Sequence, residues 1–152
     1  MAAKDNKLSA NMEDYLEAIA NLKAEKGVAR VKDISTVLGV KKPSVTGAMN
    51  LLAAKGLIIH ERYGYIDLSA KGKRLAKLVK ERHDMLTKFF SEVLRISPHL
   101  AEEDACKIEH SLSQTTFNKL TKFIEFIENS TQGKRPTWLK NFDNYVASQK
   151  SK

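Results

Sequence analysis

Cysteine is almost absent from the chain. Among 152 residues there is one, Cys106, so no disulfide can form within it. Zinc sites of the finger or ribbon type need several thiolates and are excluded by the same count. A single cysteine fits a reducing compartment, and a cytoplasmic location is expected. Proline (3) and glycine (7) are scarce, which leaves room for long helices. No apolar run approaches the roughly 18 residues a membrane span needs. The first seven residues, Met-Ala-Ala-Lys-Asp-Asn-Lys, hold no apolar stretch, so a secretory signal is not expected. Acidic residues are outnumbered, 18 against 26 Lys and Arg, for a net charge of +8. That excess favours an anionic partner, nucleic acid first and a membrane surface second. Hydrophobic residues at 42% and charged residues at 29% exclude wholesale disorder. The length suits one domain, or two small ones sharing a core.

Apolar spacing predicts a first helix from about Asn11 to Lys26, with Met12, Tyr15, Leu16, Ile19 and Leu22 on one stripe. Asn11 is its expected cap, boxed with Asp14. A short helix follows with Val31, Ile34, Val37 and Leu38 on one side, stopped by Gly39. Lys41-Lys42-Pro43-Ser44 opens a third helix, with Val45, Met49 and Leu52 inward. Two β-rich runs, 57–62 and 65–68, surround Tyr63-Gly64 and read as a hairpin. Ser69 can cap a long helix carrying Leu75, Leu78, Val79, Met85, Leu86 and Phe89. Pro98 breaks the pattern. Helices are expected from about Leu100 to Leu112 and from near Ser113. Residues 132–136 look like a linker. A short helix around Trp138–Val146 and a frayed tail from Ser148 complete the chain.

Helix, short helix, tight turn, helix and hairpin is the order of a winged helix-turn-helix. The second helix would prop the third so that its outer face enters the major groove. Ser44, Thr46 and Asn50 point outward with groups suited to base edges. Lys41, Lys42 and Pro43 sit at that helix's N-terminus, where the dipole favours an anion. Arg62 and Tyr63 occupy the hairpin tip, where a wing would touch the adjacent backbone. The competing reading, a solvated basic face, suits any one lysine but not the whole arrangement.

Steps of ~100° gather Glu102, Cys106, Glu109 and His110 in one sector of a helix, beside a stripe of Ala101, Ala105, Ile108 and Leu112. Such convergence of thiol, carboxylate and imidazole is what a metal needs. The competing structural reading is a small buried Cys106, a surface Glu109 and an ordinary polar His110. Asp14 and Glu17 add two carboxylates on the first helix, and His83 adds an imidazole on the fourth.

Taken in order, Asn-Met-Glu-Asp-Tyr-Leu-Glu-Ala-Ile, Val-Ala-Arg-Val-Lys-Asp-Ile-Ser, Lys-Pro-Ser-Val-Thr, Leu-Ser-Ala-Lys-Gly, Arg-His-Asp-Met-Leu and Cys-Lys-Ile-Glu-His resemble the metal-dependent repressors of the diphtheria-toxin-repressor and manganese-transport-regulator (DtxR/MntR) family. The resemblance runs from roughly Leu8 to Ile127. It implies a mainly α fold. A winged helix-turn-helix DNA-binding domain is expected at 1–75, an all-helical metal-binding and dimerisation domain at 76–130, and a C-terminal helix and tail at 131–152. It implies a homodimeric repressor of metal-uptake genes that binds a double-stranded DNA operator and has no small-molecule substrate.

By position, the resemblance makes Asp14, Glu17, His83, Cys106, Glu109 and His110 metal ligands and places Glu102 near a second site. That second site is short of a carboxylate, because Thr87 stands where the iron branch has one. Asp14 matches the manganese branch and Cys106 the iron branch. The implied cofactor is therefore Mn²⁺ or Fe²⁺, with Co²⁺, Zn²⁺ or Ni²⁺ as in-vitro substitutes. Gly47 stands on the recognition helix where relatives often present a long polar side chain. Phe89, Phe90, Leu94, Phe123 and Ile127 are candidates for the dimer interface, with a monomer core as the competing reading. The alternative is a winged-helix regulator that senses a small ligand or redox state without metal, with Cys106 as the thiol. A small metalloenzyme is disfavoured because no general base stands clear of the ligand set. A membrane-surface protein is disfavoured because no helix opposes a strong apolar face to a wholly basic one.

Overall fold

The computed structural model describes residues 8–130 and 132–150, and the expectations for the first seven residues and for the last two lie outside them. The described residues form seven α-helices and one two-stranded sheet. The chain divides into two compact units, Met1–Glu81 and Arg82–Lys152.

In the first unit, α1 spans Ala10–Lys26, α2 Val31–Leu38 and α3 Lys42–Ala54. The cap of α1 is Ser9, not Asn11: its Oγ accepts from the Met12 N–H at 3.3 Å. The turn between α2 and α3 needs a left-handed residue, which Gly39 supplies at φ 64°, its N–H reaching the Ser35 carbonyl. Strand β1, Ile58–His60, pairs antiparallel with β2, Ile66–Leu68, with Ile59 opposite Asp67. Helix α4, Ala70–Lys88, starts at Ser69, whose Oγ accepts from the Gly72 N–H at 3.0 Å.

Tyr15, Leu16, Ile19 and Leu22 of α1 meet Ile34, Val45, Met49, Leu52 and Ile66 in one closed core. Each such aliphatic side chain contributes about 1.5–3 kcal/mol by burial. Two apolar expectations fail here for a geometric reason. Val37 is 57% exposed because the α2 stripe centres on Val31, Ile34 and Leu38. Leu78 is 49% exposed because the α4 stripe follows Leu75, Ala76 and Val79, from which one helical step carries it outward.

In the second unit the end of α4 widens into a π-helical segment, Phe89–Val93. Helices α5, Pro98–Ile108, α6, Gln114–Ser130, and α7, Thr137–Gln149, follow. Pro98 opens α5 rather than only breaking the pattern, since a missing N–H is harmless in a first turn. Ser148 and Gln149 are helical rather than frayed. Met85, Leu86, Ala105 and Ile124 form the centre, with Phe89, Phe90, Leu112, Phe117 and Leu120 packed round it. Phe89 and Phe90 are thus part of this core, whereas Leu94 and Phe123 keep exposed faces. Ile108 leaves the expected stripe and is exposed, while Ala101 and Ala105 are fully buried.

The stretch that looked like a linker carries a clasp. Arg135 donates to the Glu92 and Val93 carbonyls at 2.6 and 3.0 Å, and so caps the π-helical segment. The same guanidinium grips Asp143 of α7 through two bonds of 2.6 Å. Arg135→Ala is expected to lower stability by about 1–3 kcal/mol, read by chemical denaturation. Hydrogen bonds from Arg135 hold the Asp143 carboxyl below its ordinary value, with Arg95 adding to the effect. A carboxyl lowered on folding stabilises above its unfolded value and ceases to as pH falls through its folded one. The stability gap between wild type and Asp143→Asn should therefore be full at neutral pH and close below about pH 4. A gap that persists at lower pH would rule the clasp out as its source.

Candidate metal centre and nucleic-acid interface

Helix α3 carries its polar residues to one side by simple periodicity. Val45, Met49 and Leu52 turn into the core, so Lys42, Pro43, Ser44, Thr46 and Asn50 stand exposed, with Lys41 at the N-cap. The Thr46 hydroxyl donates back to the Lys42 carbonyl at 3.1 Å. Gly47 has nothing within 4 Å of where a side chain would begin, so the fold does not demand glycine there. Its effect is on the outer face, which it leaves bare. At the hairpin tip, Arg62–Gly64 form one tight turn with Tyr63 at φ 64° and 88% exposed.

The second unit brings three of the singled-out donors together. His83 Nδ1, Cys106 Sγ and a Glu109 carboxylate oxygen all lie within 4.8 Å of one another. His83 Nδ1 sits 2.9 Å from Glu109 Oε2, and His110 Nε2 sits 3.3 Å from Glu109 Oε1. Local structure explains the convergence. Cys106 lies on the last turn of α5, and Glu109 and His110 follow where the helix closes at Glu109. His83 comes across from α4.

Burial decides between the two readings of this motif. Glu109 is fully buried and Cys106 is exposed, the reverse of a buried thiol beside a surface carboxylate. A fully buried carboxylate flanked by two imidazoles, with a thiol beside it, is a donor set of the kind a divalent transition metal takes. An ion bound at roughly 2.0–2.3 Å from each donor wants them ~3–4 Å apart, so the observed spacing needs only small side-chain rotations. The thiol, imidazole and carboxylate are therefore able to hold a divalent transition metal.

Glu102 is exposed on α5 and joins no such cluster among the described residues. Asp14 and Glu17 are half-buried on α1. Glu13, which periodicity did not single out, is the more buried carboxylate of that helix. Sequence reading also missed Arg30, which pairs with Tyr65 across 35 positions, a separation that leaves no local signal.

The chain matches the family described as iron dependent repressor, N-terminal DNA binding domain, over residues 7–66. Residues 69–137 match its metal binding and dimerisation domain. It is 34% identical to the HTH-type transcriptional regulator MntR of Bacillus pumilus over 80% of this chain and 84% of that one. Among solved structures, T. acidophilum IdeR superposes with a TM-score of 0.69 at 28% identity, over 74% of this chain. The manganese regulator SloR gives 0.69 at 25% identity, over 78%. The chain spans about half the length of these two solved proteins, 53% and 55%. DNA and a second copy of the chain are the partners that the two matched domains require. The reader with its exposed third helix, the buried carboxylate among metal-type donors and these matches agree, and the chain belongs to the DtxR/MntR family of metal-dependent transcriptional regulators, as a metal-responsive DNA-binding repressor and not an enzyme.

Proposed function

We propose that this repressor answers to Mn²⁺ or Fe²⁺ and silences genes for uptake of that ion. The fully buried Glu109, with His83 and Cys106 donors gathered round it, carries the reading. His83, Cys106, Glu109 and His110 are the second unit's ligands. The resemblance adds Asp14 and Glu17 of the reader, and their replacement tests whether the reader responds to metal through them. A divalent cation would supply there the positive charge that carboxylate, thiolate and imidazole donors bind. The chain's own part is to hold that donor set ready. Glu109 must stay ionised in its buried position, His83 must present Nδ1 without a proton, and Cys106 must shed its proton to ligate. Carboxylates suit the harder Mn²⁺, while the thiolate favours Fe²⁺, Co²⁺ or Zn²⁺ over it.

On DNA, Ser44, Thr46 and Asn50 read base edges, and Lys41, Lys42, Pro43, Arg62 and Tyr63 set the register on the backbone. Two readers of a dimer then meet half-sites about one helical turn apart. The test is a titration of Mn²⁺, and of Fe²⁺ under anaerobic conditions, into metal-free protein at fixed salt. Anisotropy would follow a labelled duplex selected from a random library by metal-loaded wild type. Affinity should rise with metal in wild type and stay flat in Asp14→Ala. A wild-type affinity that ignores both ions would sink the proposal and favour a ligand- or redox-sensing regulator.

A further inference from the structure

The wing is tied to a part of the reader far from it in sequence. The backbone makes the first tie: the Ile66 N–H donates to the Ala29 carbonyl at 2.9 Å, an isolated antiparallel bridge that sets β2 against the α1–α2 connection. Side chains make the second. The Arg30 guanidinium donates to the Tyr65 hydroxyl at 2.7 Å and sits with its central carbon 4.7 Å from the Tyr65 ring centroid. Tyr65 in turn closes the tip, its carbonyl accepting from the Glu61 N–H at 2.8 Å, and its ring lies 6.4 Å from that of Tyr63.

Between Glu61 and Tyr65 the chain turns through two left-handed residues, Tyr63 at φ 64° and Gly64 at φ 74°. A tyrosine held left-handed is strained by on the order of 1 kcal/mol or more and persists only where its surroundings dictate it. At 88% exposure Tyr63 has little burial to do so. The base of the tip, where Arg30 and Tyr65 meet and Tyr65 bonds Glu61, is where a restraint can act.

We propose that Arg30 and Tyr65 are positioning residues for DNA binding: a brace that aims the wing tip, and Arg62 above all, at the duplex backbone. This rests on the reading of Arg62 as a phosphate contact. A two-stranded ribbon of three residues a side is too short to hold its own tip still. The brace removes that freedom before binding, so less order has to be gained on the DNA. Arg30 is itself an exposed cation, so its replacement would confuse lost aim with lost charge. Tyr65→Phe avoids this, since it removes one hydroxyl and no charge.

The experiment measures affinity of the Mn²⁺-loaded protein for the library-selected duplex across a salt series, for wild type, Tyr65→Phe, Arg62→Ala and the double variant. Arg62→Ala should lower affinity and reduce the salt slope by ~0.9, the value of one phosphate contact. Tyr65→Phe should lower affinity roughly three- to tenfold, the effect of one hydrogen bond. It should also make the salt slope shallower although the protein's charge is unchanged, which a merely structural tyrosine would not do. The double variant should bind no worse than Arg62→Ala alone. If Arg62→Ala acts while Tyr65→Phe leaves affinity and slope unchanged, or if the two effects simply add, the brace is overturned. If Arg62→Ala itself does nothing, the wing contact fails and the brace with it.

Discussion

Glu109→Gln is expected to abolish the metal-dependent rise in DNA affinity and to weaken Mn²⁺ binding at least about 100-fold. Replacing a residue that only supports a ligand typically costs 10- to 100-fold, and Glu109 is proposed as a ligand itself. Its carboxylate is fully buried, 2.9 Å from His83 Nδ1 and 3.3 Å from His110 Nε2. Glutamine keeps the volume and one carbonyl oxygen but loses the negative charge that a cation needs. The loss therefore falls on the electrostatics of the centre, not on packing. Calorimetric titration with Mn²⁺ reads the affinity, and anisotropy on the selected duplex reads its consequence. Glu102→Gln is the control. That side chain is exposed and outside the cluster, so its metal response should persist. A Glu109→Gln protein that still binds Mn²⁺ and DNA like wild type would show that this cluster is not the regulatory centre.

The second large effect is on folding. Glycine inside a helix is ordinarily a weakness, and Gly→Ala there gains about 0.5–1 kcal/mol. At Gly72 the sign reverses. A Cβ would stand 2.0 Å from the Leu57 carbonyl oxygen and 3.0 Å from its carbon. Those atoms cannot retreat. The Leu57 N–H is bonded to the Leu52 carbonyl at 2.9 Å, and its oxygen accepts from the Ser69 N–H at 3.0 Å. Ser69 Oγ also donates to the Gly56 carbonyl at 2.6 Å, pinning the first turn of α4 to the segment it would have to leave. Gly72→Ala should destabilise by about 3 kcal/mol, the upper end of the usual range for forcing backbone shifts in a packed region. For a chain of this size that lowers the melting temperature by ~10 °C. A neutral or stabilising alanine would mean that α4 and Leu57 do not approach as closely as described.

These two residues also mark how far the sequence could be read. Glu109 was legible as a ligand type, because helical steps and a resemblance both picked it out. Its full burial, the reverse of the surface carboxylate in the competing reading, is not written in helical steps. Gly72 was legible as part of the Leu-Ser-Ala-Lys-Gly run, but the reason for glycine was not. The carbonyl that demands it belongs to Leu57, beyond the reach of any helical periodicity. The same distinction explains the misplacements. Val37 and Leu78 are apolar and in helices as expected, yet each lies just off a stripe whose centre is set by neighbouring helices. For Phe89 and Phe90 the sequence leaves dimer surface and monomer core both open, because nothing local says which apolar residues a second unit will absorb.

What the sequence determined by itself was local or compositional. The helices and the turn at Gly39 follow from interactions within about four residues, the hairpin from pairs no more than ten positions apart, and the outward polar face of α3 from its own period. The likeness to metal-dependent repressors was legible too, since it rests on residue types in order. The tertiary structure alone decided the burial of Glu109, the clasp of Arg135 on Asp143 and the α4 segment, the brace of Arg30 on Tyr65 and the contact that requires Gly72. Each joins groups from separate elements, or from positions far apart in the chain. Side-chain periodicity records which way a residue faces on its own helix; it holds no record of what arrives on the other side.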